Sequence, residues 1–286
     1  MNNKLKNSTV IITGSSRGIG REIALKCASE GANVVITGKT IVPHSKLNGT
    51  IYTVADEINN AGGKAIAIPL DVRDYDQIKN MVKEVIDNFK SIDILVNNAG
   101  AIKLTRTDLT SFKQYNLMQD INTRAAFLCS KECLPYLKES KNAHILNMSP
   151  PISLDPIWLS NHVAYTISKY GMSLATIGMA EEFSKFKINV NSLWPKTAIN
   201  TAAISMLLGD KAAHYSRSAK IIADAAYRLF IKSSLLITGK LLIDEDFLRE
   251  EGITDFSEYS LGENDLYPDL FVGSPDKWKE FISYKK

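Results

Sequence analysis

In the run Tyr165-Thr166-Ile167-Ser168-Lys169, a tyrosine and a lysine stand four residues apart. On a helix that spacing puts both side chains on one face, one turn from each other. Tyr170, Met172, Leu174 and Ile177 carry a helical periodicity past the pair. A phenol with a pKa of about 10 is a weak base near neutrality, and each unit of depression takes ~1.4 kcal/mol of differential stabilisation. A neighbouring ammonium favours the phenolate, so the pair suits proton exchange with an alcohol or a carbonyl oxygen. The same spacing also occurs on exposed amphipathic helices that do no chemistry, so it gains meaning only from what surrounds it.

A second set of residues lies near the start, in Thr13-Gly14-Ser15-Ser16-Arg17-Gly18-Ile19-Gly20. It follows a β-branched run and leads straight into a helical one. Glycines there let the backbone turn tightly and approach a pyrophosphate, while the free amides of a helix start favour its charge. The next β-branched run ends in Thr37-Gly38-Lys39-Thr40. A site for NAD usually places an acid here to bind the adenosine 2′-hydroxyl. Lys39 with Arg17 instead suits a 2′-phosphate, which predicts NADP(H) in preference to NAD(H). Asp71-Val72 closes a third run, where a short acid can meet the adenine amino group. Asn97-Asn98-Ala99-Gly100 closes a fourth; buried asparagines need partners, and here they can tie strand ends together while Ala99 and Gly100 leave room for a ribose.

Stepping from residues to elements, β-branched runs at 9–13, 33–37, 65–70, 92–97, 144–148, 188–193 and 240–243 alternate with helical segments such as 20–30 and 75–89. That alternation predicts an α/β fold, a Rossmann-type doubly wound parallel sheet with helices on both faces. No repeat or linker divides the chain, so a single domain over 1–286 is expected, with a core at about 8–244 and an acidic C-terminal extension at 245–286 that wraps the core or lines a cleft. The connections 40–50 and 150–161 are long for this fold and follow the carboxyl ends of strands, where such sheets bind ligands.

Composition narrows the function classes. Of 286 residues, 34 are Lys or Arg and 31 Asp or Glu, a formal charge of +3 that argues against wrapping nucleic acid. No run approaches the ~18 apolar residues of a membrane helix, and the start lacks the pattern of a secretory signal. The three cysteines, Cys27, Cys129 and Cys133, are too few for a disulfide framework. A cytoplasmic enzyme is the expectation, without stable membrane insertion. No metal site is expected, since His44, His144, His162 and His214 are scattered, and Cys129 and Cys133 read as a packing face.

Together, TGSSRGIG, DV at 71, NNAG at 97, Asn122, YxxxK at 165 and the proline at 195 resemble the short-chain dehydrogenase/reductase family over about residues 9–243. The runs KTIVPHSKLNGTIYTVADEI, AHILNMSPPISL and YTISKYGMS are similar to its hydroxysteroid dehydrogenase-like subgroup, here expected as the dehydrogenase part without the sterol-carrier-like domain of larger members. The resemblance implies that Tyr165 and Lys169 are the catalytic pair and that Asn122 retains a water in the proton relay. It implies that Gly14, Ser16, Arg17, Gly18, Ile19 and Gly20 hold the pyrophosphate and adenosine ribose, Lys39 the 2′-phosphate, and Asp71 and Val72 the adenine. Asn98, Ala99 and Gly100 would border the ribose, Lys169 would hold the nicotinamide ribose, and Pro195, Thr197 and Ile199 would meet the carboxamide. A homotetramer or homodimer is implied as well.

Two positions depart from the family pattern. The catalytic serine is normally the second of a Ser-Ser pair, thirteen residues before the tyrosine. Here Ser149 matches the first serine, Pro150 replaces the second, and Ile152 stands at the thirteenth position. Ser153 is the leading stand-in for the hydroxyl that polarises the substrate, Ser149 is the second candidate, and an enzyme without such a serine is the third option. Lys196 replaces the usual glycine after the proline, where it would narrow the pocket or meet an acidic substrate group. Trp158, Leu159, Trp194, Met206 and Leu207 would make the pocket apolar. The expected substrate is therefore a small apolar alcohol or carbonyl compound of lipid-like, terpenoid or steroid type. Reduction of a 3-oxoacyl thioester or an activated C=C bond, and a non-catalytic nucleotide-binding protein, are the alternatives.

Overall fold

Parallel strands covered on both faces are largely apolar on both sides, as the runs Thr9–Ile12, Asn33–Gly38 and Ile94–Asn97 are, whereas Asn189–Trp194 buries Asn189, Asn191 and Ser192. The computed structural model describes residues 3–43, 49–202, 204–205, 209–233, 236–262 and 265–273. His44, Met206, Leu207 and the end of the tail lie outside them. The strands are β1 (Thr9–Ile12), β2 (Asn33–Gly38), β3 (Lys64–Pro69), β4 (Ile94–Asn97), β5 (His144–Asn147), β6 (Asn189–Trp194) and β7 (Leu241–Ile243). They form one seven-stranded sheet in the order β3-β2-β1-β4-β5-β6-β7, with every pair parallel. All seven strands match the expected runs to within two residues at each end.

Alternation along each strand divides the core. Val10, Ile12, Val34, Ile36, Ile94 and Val96 face one cluster, packed under α1 (Gly18–Ser29), α2 (Ile51–Asn60) and the α8 helix (Lys220–Phe230). Ile11, Val35 and Leu95 face the other, covered by α3 (Tyr75–Phe89), α5 (Ala125–Leu137) and α7 (Val163–Phe183). A third cluster gathers around Tyr165 with Trp158, Trp194 and Phe271.

Chain direction across the sheet reverses between β1 and β4, and open α/β sheets bind ligands outside the carboxyl ends of strands at that switch. Asn97 ties β4 to β5, donating from Nδ2 to Asn147 Oδ1 at 2.8 Å, and Asn147 Nδ2 passes the contact on to Thr176 Oγ1 of α7 at 2.8 Å. This buried chain fixes the height of α7, and so of the tyrosine and lysine it carries. Helix α4 (Phe112–Met118) runs into α5 through a π-turn at Gln119–Arg124. Such turns are frequent at functional sites, and this one holds Asn122. No helix among the described residues is long and apolar enough to cross a membrane.

Candidate active site

The glycine turn after β1 can only be built with glycine. Gly14 sits at φ +68°, and a Cβ there would lie 2.9 Å from Ala99 Cα. At Gly20 a Cβ would lie 2.5 Å from Asn98 Nδ2 and 2.8 Å from Gly14 O. Asn98 makes that closeness useful, donating to Thr13 O at 2.9 Å and Gly14 O at 3.0 Å. The turn after β1 is thereby clamped to the end of β4. Helix α1 starts at Gly18 with no side chain capping it, so its first amides point into the turn, as an anion site requires. Arg17 reaches across to Gly49 O at 2.9 Å. This draws the long connection after β2 onto the turn, and Ser16 and Ile19 lie in the same bend.

At the end of β2, Lys39 is 60% exposed in its side chain and pairs with Asp71 Oδ2 at 3.1 Å. Arg73, which sequence reasoning passed over, donates from Nε to Asp71 Oδ1 at 2.9 Å. The Arg73 hydrogen bonds first, and Lys39 after them, hold the Asp71 carboxyl well below the ordinary carboxylate range. Two cations therefore flank one carboxylate beside the buried Val72, and the cluster keeps a net positive charge.

Across the switch point stand Tyr165 and Lys169, both buried on α7. Lys169 Nζ donates to Met148 O at 2.9 Å and lies 5.3 Å from the Trp194 ring centroid. A Cβ on Gly100 would lie 3.7 Å from that ammonium and 3.5 Å from Asn122 Oδ1. Burial lowers the Lys169 ammonium to about 8, with Asp269 opposing. Tyr165 goes the other way from the expected phenolate: burial, and then the Asp269 carboxyl, push the phenol well above its usual range. The neutral phenol is a proton donor.

Asn122 is wholly engaged. Its Oδ1 accepts from Ala101 N at 2.8 Å, and its Nδ2 donates to Ala101 O at 2.9 Å and to Ser168 Oγ at 2.8 Å. With both amide protons used, the side chain clamps the loop after β4 to α7. The two serine candidates differ. Ser153 Oγ accepts from Asp155 N at 3.2 Å, and Tyr170 Oη brackets the Ser153 backbone. Ser149 is fully buried, and among the described residues its hydroxyl has no hydrogen-bond partner. The Thr197 hydroxyl is in the same condition. Pro195 and Ile199 are buried on either side of it.

Lys196 neither narrows a pocket nor waits for a substrate acid. Its ammonium pairs with Glu245 at 3.4 Å and Asp246 at 2.7 Å, on the α9 helix (Asp244–Glu250). Glu245 also pairs with Arg217. The tail passes behind this network and comes back over the site: residue 197 bridges 268, and Phe271 packs among Trp158, His162, Tyr165, Tyr170 and Trp194. Asp269 and Phe271 lay beyond sequence reasoning because nothing in Tyr267-Pro268-Asp269-Leu270-Phe271 marks a contact about a hundred residues away. All three cysteines are free and buried, and no group of three or more His, Cys, Asp or Glu among the described residues is placed to hold a metal.

Comparison with known proteins agrees with this geometry. The family profile described as short chain dehydrogenase matches residues 8–207. The chain is 54% identical over 275 residues to hydroxysteroid dehydrogenase-like protein 2 of Danio rerio, covering 96% of this chain and 66% of that protein. It thus spans just under two thirds of that relative's length. A crystal structure of a short chain dehydrogenase from Mycobacterium thermoresistibile superposes with a TM-score of 0.89 at 45% identity, covering 95% of this chain and 97% of that one. A metagenomic short-chain oxidoreductase in complex with NADP superposes with a TM-score of 0.69 at 26% identity, covering 84% and 97%.

Proposed function

The chain belongs to the short-chain dehydrogenase family, and from that premise we propose an NADP(H)-dependent oxidoreductase that interconverts an apolar alcohol and its carbonyl compound. The observation that carries the proposal is Lys169 gathered with Gly100 and Asn122, one turn along α7 from the buried Tyr165, in a chain whose glycine turn tolerates no side chain at residue 20.

The residues fit a dinucleotide. The uncapped start of α1 behind the turn at Gly14, Gly18 and Gly20 leaves amides for a pyrophosphate, and the unpartnered hydroxyl of Thr197 could bond a carboxamide. Ser16, Arg17 and Ile19 would line the turn, Asp71 and Val72 the adenine, Asn98 and Ala99 the ribose, and Pro195 and Ile199 the nicotinamide end. Lys39 and Arg73 supply the positive charge a 2′-phosphate needs, which supports NADP(H) over NAD(H). When bound, the dinucleotide supplies or accepts the hydride.

The protein's own residues handle the proton. Tyr165 donates its phenolic proton to the substrate oxygen during reduction, and burial keeps the phenol neutral while the site is closed. Lys169, held by Met148 O, supplies the positive charge that stabilises the phenolate left behind. Asn122 acts by clamping the loop at Ala101 to Ser168, which keeps Gly100 beside Lys169, and would retain the relay water from the same place. The orphaned hydroxyl of Ser149 supports it over Ser153 as the group that polarises the carbonyl, since the Ser153 Oγ is already held by Asp155 N. Trp158 and Trp194 support an apolar substrate of lipid-like, terpenoid or steroid type.

A homo-oligomer belongs to the same proposal. Phe112 and Tyr115 of α4, Phe127 of α5, and Ile167, Leu174 and Ile177 of α7 are exposed apolar residues that a second copy would cover. So do a single domain across the chain, supported by β7 joining the same sheet, and a cytoplasmic setting, supported by three unpaired cysteines. The test is NADPH consumption against a panel of aldehydes and ketones, with Tyr165→Phe alongside. Turnover that disappears in the variant is expected; turnover that survives it, or none on any carbonyl, defeats the proposal.

A further inference from the structure

Residues 267–272 reach the reaction centre from far along the chain: Tyr267 N donates to Tyr215 O at 3.0 Å, the two tyrosine rings stack at 4.5 Å between centroids, and Leu270, Phe271 and Val272 are buried. Ala198 N donates to Tyr267 O at 2.8 Å and Asp269 N to Lys196 O at 3.0 Å, a single antiparallel bridge. Trp194 Nε1 adds a bond to Leu270 O at 2.8 Å. Phe271 follows at φ +71°, a left-handed conformation that residues with side chains rarely take and that persists only where packing imposes it.

The packing that imposes it is a cage of rings. Phe271 lies 5.3 Å from Tyr170, 5.9 Å from His162, 6.1 Å from Trp194 and 6.2 Å from Trp158, centroid to centroid. Against Tyr165 it stacks at 6.1 Å with the planes 23° apart. Tyr165 is left 4% exposed. A substrate must bring its oxygen to that phenol and lay its apolar body against the same rings, and the Phe271 ring already occupies that place. The Asp269 carboxyl arrives with it, buried near Lys169 and Asp244.

We propose that residues 269–272 form a plug in the substrate subsite, with Phe271 standing in for the apolar body of the substrate, so that the plug withdraws for turnover and Phe271 limits the size of compound admitted. The plug rests on the oxidoreductase reading above. The left-handed backbone at Phe271, imposed by packing, suits a segment that leaves and returns, while the aromatic cage it vacates suits a flat or branched apolar carbonyl compound.

Two measurements test it. The first is kcat/KM with NADPH for butanone and for a fused-ring ketone, in the parent protein, Phe271→Ala and Phe271→Leu, each first checked for an unchanged melting transition. Phe271→Ala is expected to raise kcat/KM for the fused-ring ketone at least fivefold and to raise that for butanone by a smaller factor, with Phe271→Leu between. The second needs no variant: amide hydrogen exchange at Ala198 and Asp269 should quicken when NADPH and the better ketone are added together. Tyr165-dependent turnover that is equal or lower in both variants on both ketones, or exchange that slows on adding the ketone, overturns the plug and leaves the oxidoreductase reading standing. If no variant shows Tyr165-dependent turnover, the oxidoreductase reading falls and the plug falls with it.

Discussion

Replacing Gly20 with alanine adds one methyl group at the tightest point of the dinucleotide turn. The new Cβ would lie 2.5 Å from Asn98 Nδ2, 2.8 Å from Gly14 O and 3.0 Å from Ser15 Cα. Two of these are backbone atoms of a turn whose own conformation depends on glycine at φ +68°, so the Asn98 amide is what must yield. Moving it breaks the bonds to Thr13 O and Gly14 O, at ~1 kcal/mol each, and residual overpacking adds ~1 to 3 kcal/mol. The sum is ~3 to 5 kcal/mol, equivalent to a fall in melting temperature of roughly 5 to 15 °C for a chain of this size. Because the turn and Asn98 would both face the dinucleotide, NADPH affinity should fall at least about tenfold, ~1.4 kcal/mol. Thermal unfolding and NADPH fluorescence titration check both parts. Gly178 is the control: it sits inside α7, a Cβ there meets nothing within 4 Å, and Gly178→Ala should be neutral or stabilise by up to ~1 kcal/mol. A Gly20→Ala protein that melts within 2 °C of the parent and binds NADPH as well, within roughly the error of such assays, would refute the clamp between the glycine turn and β4.

Other consequences can be measured alongside. Lys39→Ala should weaken NADPH roughly five- to thirtyfold, the loss of one partly exposed charge-assisted contact of ~1 to 2 kcal/mol, and leave NADH affinity within about twofold; equal losses for both cofactors would show that Lys39 does not read the 2′-phosphate. Ser149→Ala should lower kcat by ~10² while Ser153→Ala changes it little, and the reverse order in steady-state kinetics would move the polarising hydroxyl to Ser153. Burial raises Asp269 to about 8, and burial likewise raises Asp244 to about 7. Between the unfolded value near 4 and these values the native state holds more protons than the unfolded one, so stability from these groups is present at low pH and lost as pH rises through 7 to 8. Asp269→Asn should therefore flatten the decline in denaturant midpoint between pH 5 and 8; an unchanged slope would count against a buried, protonated Asp269.

The elements were legible because their signals are local. Each strand is a β-branched run bounded by turn residues, and burial on both faces of a parallel sheet removes the polar alternation that would have confused it with an edge. The glycine turn was legible for the same reason, since its steric demand is written in eight consecutive residues. The clamp made by Asn122 emerged only once Ala101 and Ser168 were seen to take both protons of its amide. The same holds for Lys196, whose charge is taken up by Glu245 and Asp246 nearly fifty residues on.

From sequence alone came the doubly wound sheet, the glycine turn after its first strand, the lysine that ends the second, and the tyrosine and lysine one turn apart. These depend on spacing within a few residues, and the period of a helix or strand converts such spacing directly into direction. Tertiary structure decided which serine hydroxyl is left without a partner, how Arg73 joins Lys39 around Asp71, and that Phe271 lies on the phenol of Tyr165. Those facts depend on where separate segments meet after folding. Packing is satisfied by shape and apolar surface, which many side chains offer equally, so a contact spanning a hundred residues leaves no period or motif behind in the chain.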